Sequence, residues 1–326
     1  MPGAPAFWKR DGNTLPQLVL RPLGAVTAAL TARRLAQAGW QAPVPVICCG
    51  NVTVGGAGKT TLALDLLRRL NGRGVHAHAL LRGYRGSVHG AHRVAPSDDA
   101  RRVGDEALLL AQLAPTWVGA DRATSARAAI AAGAEVLVLD DGLQNPTLRK
   151  DMSLLVIDGG FGFGNGHLLP AGPLREPVAA ASVRCRAAIL IGADEHGAMA
   201  ALAPTMQTLH ASLAPGPEAA DFVGRRILAF AGIARPEKFF ASLEQVGAVL
   251  VAKRAFADHH SFTSADMRRI EEDAARLEAL PVTTAKDAAR LAPLDRPRVR
   301  VLTVSLAWRD ESEIESLLTE LLERRG

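Results

Sequence analysis

The sequence has few of the residues that build disulfide-rich, zinc-binding or aromatic-rich proteins. Its 326 residues include three cysteines and one tyrosine, and aromatic residues make up 4% of the chain. Cys48 and Cys49 are adjacent, which excludes an ordinary disulfide between them. Neither they nor Cys185 has the CxxC spacing of a zinc site. A reducing, cytosolic compartment fits this cysteine usage best.

The N-terminus lacks the basic segment, apolar run and small-residue cleavage site of a signal peptide, so we expect the chain to stay in the cytoplasm. Residues 15–30 are apolar, but Arg21 and Pro22 interrupt them and they fall short of the roughly 20 residues of a spanning helix. With Phe7 and Trp8 beside it, such a helix could lie in a membrane interface. The alternative is a first helix packed on the core, and both readings stay open.

The composition indicates a globular protein with anionic partners. Hydrophobic residues make up 48% of the chain and charged residues 22%, with a formal charge of +5. Nucleotide phosphates, nucleic acid or anionic lipid would all suit a basic protein. The arginines are scattered, and no aromatic-rich basic motif or helix-turn-helix pattern is present, so we expect no nucleic-acid partner. The length suits two domains.

Short apolar runs with helical stretches between them fill the first two-thirds of the sequence. Such runs are typical of parallel strands buried on both faces. The fold class predicted is therefore α/β, with a doubly wound, mostly parallel sheet. The runs cover residues 44–49, 77–81, 136–139, 154–157 and 188–191.

A second, smaller α/β domain is predicted after a Pro- and Gly-containing stretch at 213–221. Strands are predicted at 226–231, 248–253, 281–284 and 299–304, and helices at 236–246, 264–280 and 311–325. The predicted division is an N-terminal membrane-associating segment (1–35), a nucleotide-binding domain (36–216) and the smaller domain (217–326).

A glycine-rich loop follows the first predicted strand and precedes a helix, which is the context of a P-loop. Lys59 would reach the β- and γ-phosphates of ATP, and Thr60 would ligate Mg²⁺. The strict pattern has glycine six residues before the lysine, where this chain has Thr53, so the loop is a variant. The residues predicted to bind the nucleotide are Thr53, Val54, Gly55, Gly56, Ala57, Gly58, Lys59, Thr60 and Thr61.

Asp140 and Asp141 end another buried strand. Adjacent carboxylates repel each other unless a cation lies between or beside them, and Mg²⁺ with nucleotide phosphates would supply one. The alternative is that one of them caps the following helix. The pattern favours metal chemistry.

An ordered set of motifs resembles the tetraacyldisaccharide 4'-kinases of lipid A biosynthesis over nearly the whole chain. The motifs are GNVTVGGAGKT (50–60), LLRGYRG (80–86), GDEALLL (104–110), DDGLQ (140–144), IDGGFGFGNGHLLPAGPLREP (157–177), FADHHSF (256–262) and TTAKDA (283–288). The resemblance implies two α/β domains with the active site between them. It also implies transfer of the ATP γ-phosphate to the 4'-hydroxyl of tetraacyldisaccharide 1-phosphate, giving lipid IV-A.

The same resemblance implies partners and residue roles. The partners are the lipid substrate and the cytoplasmic face of the bacterial inner membrane, with no obligate protein partner. Asp105 matches the family's proposed catalytic base, and His259 the residue that supports it. The metal residues implied are Thr60, Asp140, Asp141 and Glu176, and the substrate contacts are Arg82, Tyr84, Arg122, Gln144 and Arg175.

Some alternatives remain at this level. Asp105 follows Gly104 and could simply cap a helix, and Arg175 with Glu176 could form a surface ion pair. The family pattern usually has proline where this chain has Ala107, which removes a rigid turn element but no reacting group. A different P-loop enzyme with a soluble substrate would share the nucleotide-binding residues.

Overall fold

A computed structural model describes residues 5–8, 14–83, 86–88 and 90–324, where strands and helices alternate. The strands are β1 (Val46–Gly50), β2 (Ala77–Leu81), β3 (His92–Arg93), β4 (Thr116–Val118), β5 (Val136–Asp140), β6 (Met152–Asp158), β7 (Ala187–Ile191), β8 (Gln207–Pro215), β9 (Arg226–Ala231), β10 (Val249–Ala255), β11 (Leu280–Thr284), β12 (Arg300–Leu302) and β13 (Val304–Trp308). The helices are α1 (Leu15–Leu35), α2 (Lys59–Gly72), α3 (Ala100–Val103), α4 (Asp105–Ala111), α5 (Arg122–Ala131), α6 (Val178–Ser182), α7 (Pro236–Gln245), α8 (Ser264–Arg276), α9 (Ala285–Arg290) and α10 (Glu311–Glu323).

The larger sheet has nine strands in the order β13-β8-β7-β6-β1-β5-β2-β4-β3. Among the strands formed by the described residues of this sheet, only the edge pairs β3–β4 and β13–β8 are antiparallel. Every residue of β1, β2, β5, β6 and β7 is buried, as expected of strands covered by helices on both faces. The predicted α/β class with a mostly parallel sheet is confirmed, and each of the five apolar runs forms one of these strands.

Successive side chains of β1 point to opposite faces of the sheet and pack into two apolar layers, one on each face. Ile47 and Cys49 join the layer that contains α2 and α10, whereas Cys48 joins the layer on the opposite face. Burial raises the pKa of the Cys48 thiol to about 11. Both adjacent cysteines are therefore core residues. Because helices cover both faces, the exposed carboxyl edge of the central strands is where a ligand can approach.

The smaller sheet has four parallel strands in the order β10-β9-β11-β12. Phe239 and Leu243 of α7 pack on one face. Met267 and Ile270 of α8 pack on the other. The second, smaller α/β unit is confirmed.

The strand predicted at 299–304 is instead two strands that join different sheets. β12 pairs with β11 in the smaller sheet, whereas β13 pairs with β8 at the edge of the larger one. Leu317 and Leu318 of α10 are buried against the larger sheet. Trp308 Nε1 donates a hydrogen bond of 3.0 Å to Asp65 of α2. Residues 304–323 therefore pack with the first unit, which corrects the predicted 217–326 domain.

Helix α1 lies along the outside of the larger unit. Its inner side is fixed to the 163–176 loop, where Thr27 Oγ1 donates a hydrogen bond of 2.7 Å to the Leu169 carbonyl. A Cβ added to Gly24 would lie 3.2 Å from Leu168, so the contact is close. The outer side carries five apolar residues that are 51–66% exposed: Leu18, Val19, Leu23, Val26 and Leu30. By length and composition α1 could cross a membrane, and little of it is buried.

Candidate active site

The glycine-rich loop wraps the amino end of α2. Gly55 and Gly58 have φ angles of 123° and 91°, which favour glycine. A Cβ at Gly58 would lie 2.6 Å from Ile191, whereas Gly55 and Gly56 face open space. Val54 N–H donates to the Pro173 carbonyl at 2.9 Å, which ties the loop to the 163–176 segment. Open glycines before a helix amino end form an anion-binding site.

Lys59 is the first residue of α2, and its side chain points back across the loop. Lys59 Nζ donates to Asn51 Oδ1 at 3.0 Å and lies 3.8 Å from Asp141 Oδ2. Asn51 Nδ2 in turn donates to Thr53 Oγ1 at 3.0 Å. Asn51 has no predicted role, yet it orients both the lysine and the residue that replaces the usual glycine.

Thr60 and Asp140 form the buried centre of the site. Thr60 Oγ1 donates to Asp140 Oδ2 at 2.8 Å. Asp140 is 2% exposed, and its Oδ1 has no hydrogen-bond partner in the described part of the chain. Burial, with the nearby charge of Glu106, raises the pKa of Asp140 to about 7. A hydroxyl and an unpartnered carboxylate oxygen are oxygen ligands of the kind that Mg²⁺ binds.

Asp141 differs from its neighbour because cations surround it. Its backbone is left-handed, with φ 56°. Arg175 donates to its carboxylate at 2.8 and 3.0 Å. Burial opposes ionisation here, but Lys59 and Arg175 outweigh it and lower the pKa of Asp141. The two adjacent aspartates therefore have opposite electrostatic environments.

Glu176 lies beside this centre rather than within it. The side chain is buried, pairs with Arg184 at 2.6 Å and accepts a 2.9 Å hydrogen bond from Gln144 Nε2. Gln144 Nε2 also donates to the Asn51 carbonyl at 2.9 Å. Within residues 5–8, 14–83, 86–88 and 90–324, no three His, Cys, Asp or Glu side chains are grouped as a metal site. The structure thus places predicted ligand Glu176 in an ion pair.

Asp105 and His259 meet at the joint between the two sheets. Asp105 begins α4 and is 5% exposed. Its Oδ2 lies 3.1 Å from His259 Nδ1 and 3.1 Å from Arg290 Nε. Burial opposes ionisation, but the His259 hydrogen bond and the charges of Lys286 and Arg290 hold the pKa of Asp105 well below its usual range. Asp105 is therefore ionised at neutral pH and acts there as a hydrogen-bond acceptor.

The backbone of the smaller unit fixes this joint. His259 has a left-handed φ of 59°, and its N–H donates to the Gly232 carbonyl at 3.0 Å. Arg290 NH1 donates to the same carbonyl at 2.9 Å. Beside them, Lys286 Nζ pairs with Glu106 at 2.7 Å. Arg290 and Lys286 had no predicted role, and only the TTAKDA motif, which contains Lys286, marked this helix.

A second contact between the units lies on the other side of the loop. Arg235, which precedes α7, donates to the Gly56 carbonyl at 2.9 Å and also to Asp158. Lys238 Nζ donates to both oxygens of Asp158 at 2.9 Å. The smaller unit therefore touches the larger one on both sides of the phosphate-binding loop.

The remaining predicted contacts are spread more widely. Arg82 is exposed just after β2, and Tyr84 lies outside the described residues. Arg122 is 1% exposed and donates to the Gly119 carbonyl. Burial lowers the pKa of Arg122 to about 10. The structure thus places Arg122 beneath the cleft rather than on its surface.

Comparisons with known proteins agree on one family. A family model described as tetraacyldisaccharide-1-P 4'-kinase matches residues 16–323. The tetraacyldisaccharide 4'-kinase of Gluconacetobacter diazotrophicus is 54% identical over 322 residues, which cover 98% of this chain and 98% of the relative. The protein of the same name from Rhodospirillum centenum is 52% identical over 325 residues, which cover 98% of this chain and 96% of the relative.

The fold is shared with a solved structure. The crystal structure of LpxK from Aquifex aeolicus in complex with ATP superposes with a TM-score of 0.74 at 23% identity. The match covers 94% of this chain and 99% of that chain.

Proposed function

The chain belongs to the tetraacyldisaccharide-1-P 4'-kinase family, and from this premise we propose that it transfers the γ-phosphate of ATP to the 4'-hydroxyl of tetraacyldisaccharide 1-phosphate. Membership makes it a kinase of lipid A biosynthesis, and the product of the proposed transfer is lipid IV-A. The observation that carries the proposal is the meeting, at one sheet edge, of the glycine loop with the buried Thr60–Asp140 pair.

The loop and Lys59 supply the phosphate site. Backbone N–H groups at the amino end of α2 attract anions, and Lys59 adds a charge that is held in place by Asn51. Phosphoryl transfer has a loose transition state with charge on the equatorial oxygens, so positioning and charge neutralisation do most of the catalysis. Lys59 is accordingly assigned to the transferring phosphate.

Mg²⁺ would be held by the Thr60 hydroxyl and the Asp140 carboxylate, with nucleotide phosphates completing its ligands. The unpartnered Asp140 Oδ1 fits this role. When bound, the ion supplies charge neutralisation on the phosphates. Asp141 contributes through Lys59 and Arg175, which it holds beside the loop.

Asp105 and His259 serve the acceptor. A carboxylate that stays ionised can accept the hydrogen bond of the sugar hydroxyl and, late in the transfer, its proton. His259 holds Asp105 Oδ2 from the smaller unit, so the two units must approach for this pair to form. Arg175, Gln144, Arg82 and Tyr84 are assigned to contacts with the sugar and phosphate groups of the lipid.

Helix α1 supports a location at the membrane. Its outer side exposes five apolar residues, while Thr27 and Thr31 on its inner side bond to carbonyls of the 163–176 loop. An apolar helix face beside Arg33 and Arg34 suits the surface of an anionic bilayer. The proposed location is the cytoplasmic face of the bacterial inner membrane, where acyl chains stay in lipid while the sugar enters the cleft.

The test is transfer of label from γ-labelled ATP, with Mg²⁺, to tetraacyldisaccharide 1-phosphate in detergent micelles. Lys59→Met and Asp105→Asn should each lose at least about a hundredfold in rate, in the range that removal of a transition-state contact costs. Lys253→Met is the matched control, because Lys253 pairs with Glu244 on the surface of the smaller unit. Equal rates for Lys59→Met and the control, or no transfer by folded unaltered chain, would refute the assignment.

A further inference from the structure

A cavity of about 360 Å³ opens below the active site, between the end of α1 and the segment that follows Gln144. Leu35 and Gly39 form one wall, and Leu148, Arg149 and Lys150 form the other. The two walls are joined through Trp40, whose N–H donates to the Thr147 carbonyl and whose carbonyl accepts from Arg149 N–H, each at 2.9 Å. The cavity therefore has fixed walls on both sides.

Cations line this cavity in excess. Arg149, Lys150 and Arg184 all contribute to its lining. Arg184 is balanced by Glu176 at 2.6 Å, and Lys150 Nζ donates to the Asn145 carbonyl, which carries no formal charge. Burial first, and then the charges of Arg184 and Arg122, lower the pKa of Lys150. Cations crowded around such an open cavity would be stabilised by an anion.

The position of the cavity restricts the kind of anion. It begins at Leu35, where α1 ends, and α1 carries the exposed apolar side described above. A lipid whose acyl chains lie along that side would bring its polar head to this end of the helix. Inside the cavity, apolar Leu143 and Leu148 accompany the cations, as suits the boundary between a chain and its head group.

Hydrogen bonds connect the cavity to the reaction site. Arg184 pairs with Glu176, which accepts from Gln144. Gln144 also donates to Asn51, which holds Lys59. An anion at Arg184 would therefore act on the residue network that orients the phosphate-binding lysine.

We propose that this cavity binds the phosphate group of a membrane lipid, through Arg149, Lys150 and Arg184. The chemistry is a phosphate ester on an acylated head group, and two sources carry it: the 1-phosphate of the acceptor and the phosphate of an anionic phospholipid. The first source rests on the proposed function, whereas the second does not.

Two measurements separate the sources. The first compares KM for tetraacyldisaccharide 1-phosphate with KM for the same acceptor lacking the 1-phosphate, in neutral detergent. The second follows co-sedimentation with vesicles of phosphatidylcholine alone or with phosphatidylglycerol, without nucleotide. Arg149→Ala is the main variant, since Arg149 is exposed and its removal leaves the core intact. Lys150→Met is the second, and Arg186→Ala is the control, because Arg186 pairs with Glu320 outside the cavity.

A contact between a cation and a phosphate is expected to change affinity about tenfold. If the unaltered chain prefers the 1-phosphate by that factor and the variants lose the preference, the cavity holds the acceptor's phosphate. If the preference for the 1-phosphate survives but the variants bind anionic vesicles about tenfold more weakly, the cavity holds a phospholipid. If the KM preference and the vesicle binding of Arg149→Ala and Lys150→Met both stay within twofold of those of Arg186→Ala, the proposal is overturned. No transfer to either acceptor would refute the proposed function alone, and the vesicle measurement would still decide the cavity.

Discussion

Replacing Arg290 with methionine removes one cation from the buried joint between the two sheets while keeping a long apolar stem. Arg290 and Asp105 are each 5% exposed at the side chain, and Arg290 Nε lies 3.1 Å from Asp105 Oδ2. Arg290 NH1 also donates to the Gly232 and His260 carbonyls at 2.9 and 3.1 Å. Arg290 NH2 also lies 3.3 Å from Asp287, so the change leaves two buried carboxylates and two carbonyls with fewer donors.

The expected cost follows from burial. Removing one partner of a buried ion pair costs about 3–5 kcal/mol, because the other charge stays in a medium of low polarity. Asp105 keeps His259 as a hydrogen-bond partner, so the lower end, about 3 kcal/mol, is expected. Arg298→Met is the matched control: Arg298 pairs with Glu271 at 3.1 Å, and their side chains are 56% and 32% exposed. An exposed pair of this kind contributes about 0–1 kcal/mol.

Urea unfolding followed by circular dichroism measures both variants against the unaltered chain at neutral pH. We expect Arg290→Met to lower the free energy of unfolding by at least about 2 kcal/mol more than Arg298→Met, the difference between the two expected costs. ATP affinity should change little, because Arg290 bonds to Asp105, Asp287, Gly232 and His260, none of which belongs to the glycine loop. Equal destabilisation by the two variants would show that the Arg290–Asp105 pair does not stabilise the joint between the two sheets.

Two further predictions concern acid stability and the C-terminal helix. Because the pKa of Asp105 is held below its ordinary 3.8, its ionised form stabilises the fold above that value, and the stabilisation is lost as pH falls through the lowered pKa. Below about pH 4, the free energy of unfolding of the unaltered chain should therefore fall by up to about 1.4 kcal/mol per pH unit more than that of Asp105→Asn. Urea unfolding at several pH values measures both, and the same dependence on pH in the two proteins would contradict this. Leu318→Ala should lower the free energy of unfolding by about 2–5 kcal/mol, because Leu318 is fully buried. Leu294→Ala should lower it by under about 0.5 kcal/mol, because Leu294 is 82% exposed. Similar costs in the two leucine variants would place α10 outside the core.

The central strands could be predicted because their signal is local. Each of β1, β2, β5, β6 and β7 is a short apolar run buried on both faces, and the glycine loop follows β1 directly. β8 and β13 were not predicted as strands of this sheet because β13 lies at its edge and β8 is the next strand in, with part of each exposed. Their pairing joins segments about ninety residues apart, and no local pattern encodes such a contact.

The site shows the same division between local and distant information. Lys59 and Thr60 follow the loop after β1, Asp140 ends β5, and the structure brings them together. Arg290 and Arg235 reach the site from the smaller unit, and an isolated arginine in a helix or turn carries no signal of what it will face after folding.

Arg122 and Glu176 illustrate the reverse case. Arg122 was predicted as a substrate contact and Glu176 as a metal ligand, and the fold buries each at 1% exposure. Burial of a charged side chain depends on its partners, here the Gly119 carbonyl for Arg122 and Arg184 with Gln144 for Glu176. Those partners come from tertiary structure, which a motif does not specify.

The position of the new phosphate on the product decides whether the chain phosphorylates the 4'-hydroxyl. Lipid recovered after reaction with ATP and tetraacyldisaccharide 1-phosphate would be analysed by phosphorus–proton correlation NMR. We expect one new phosphate monoester, coupled to the proton on carbon 4' of the distal sugar, and no such monoester with Lys59→Met. A new phosphate on another hydroxyl, or ADP formation with no phosphorylated lipid, would contradict it.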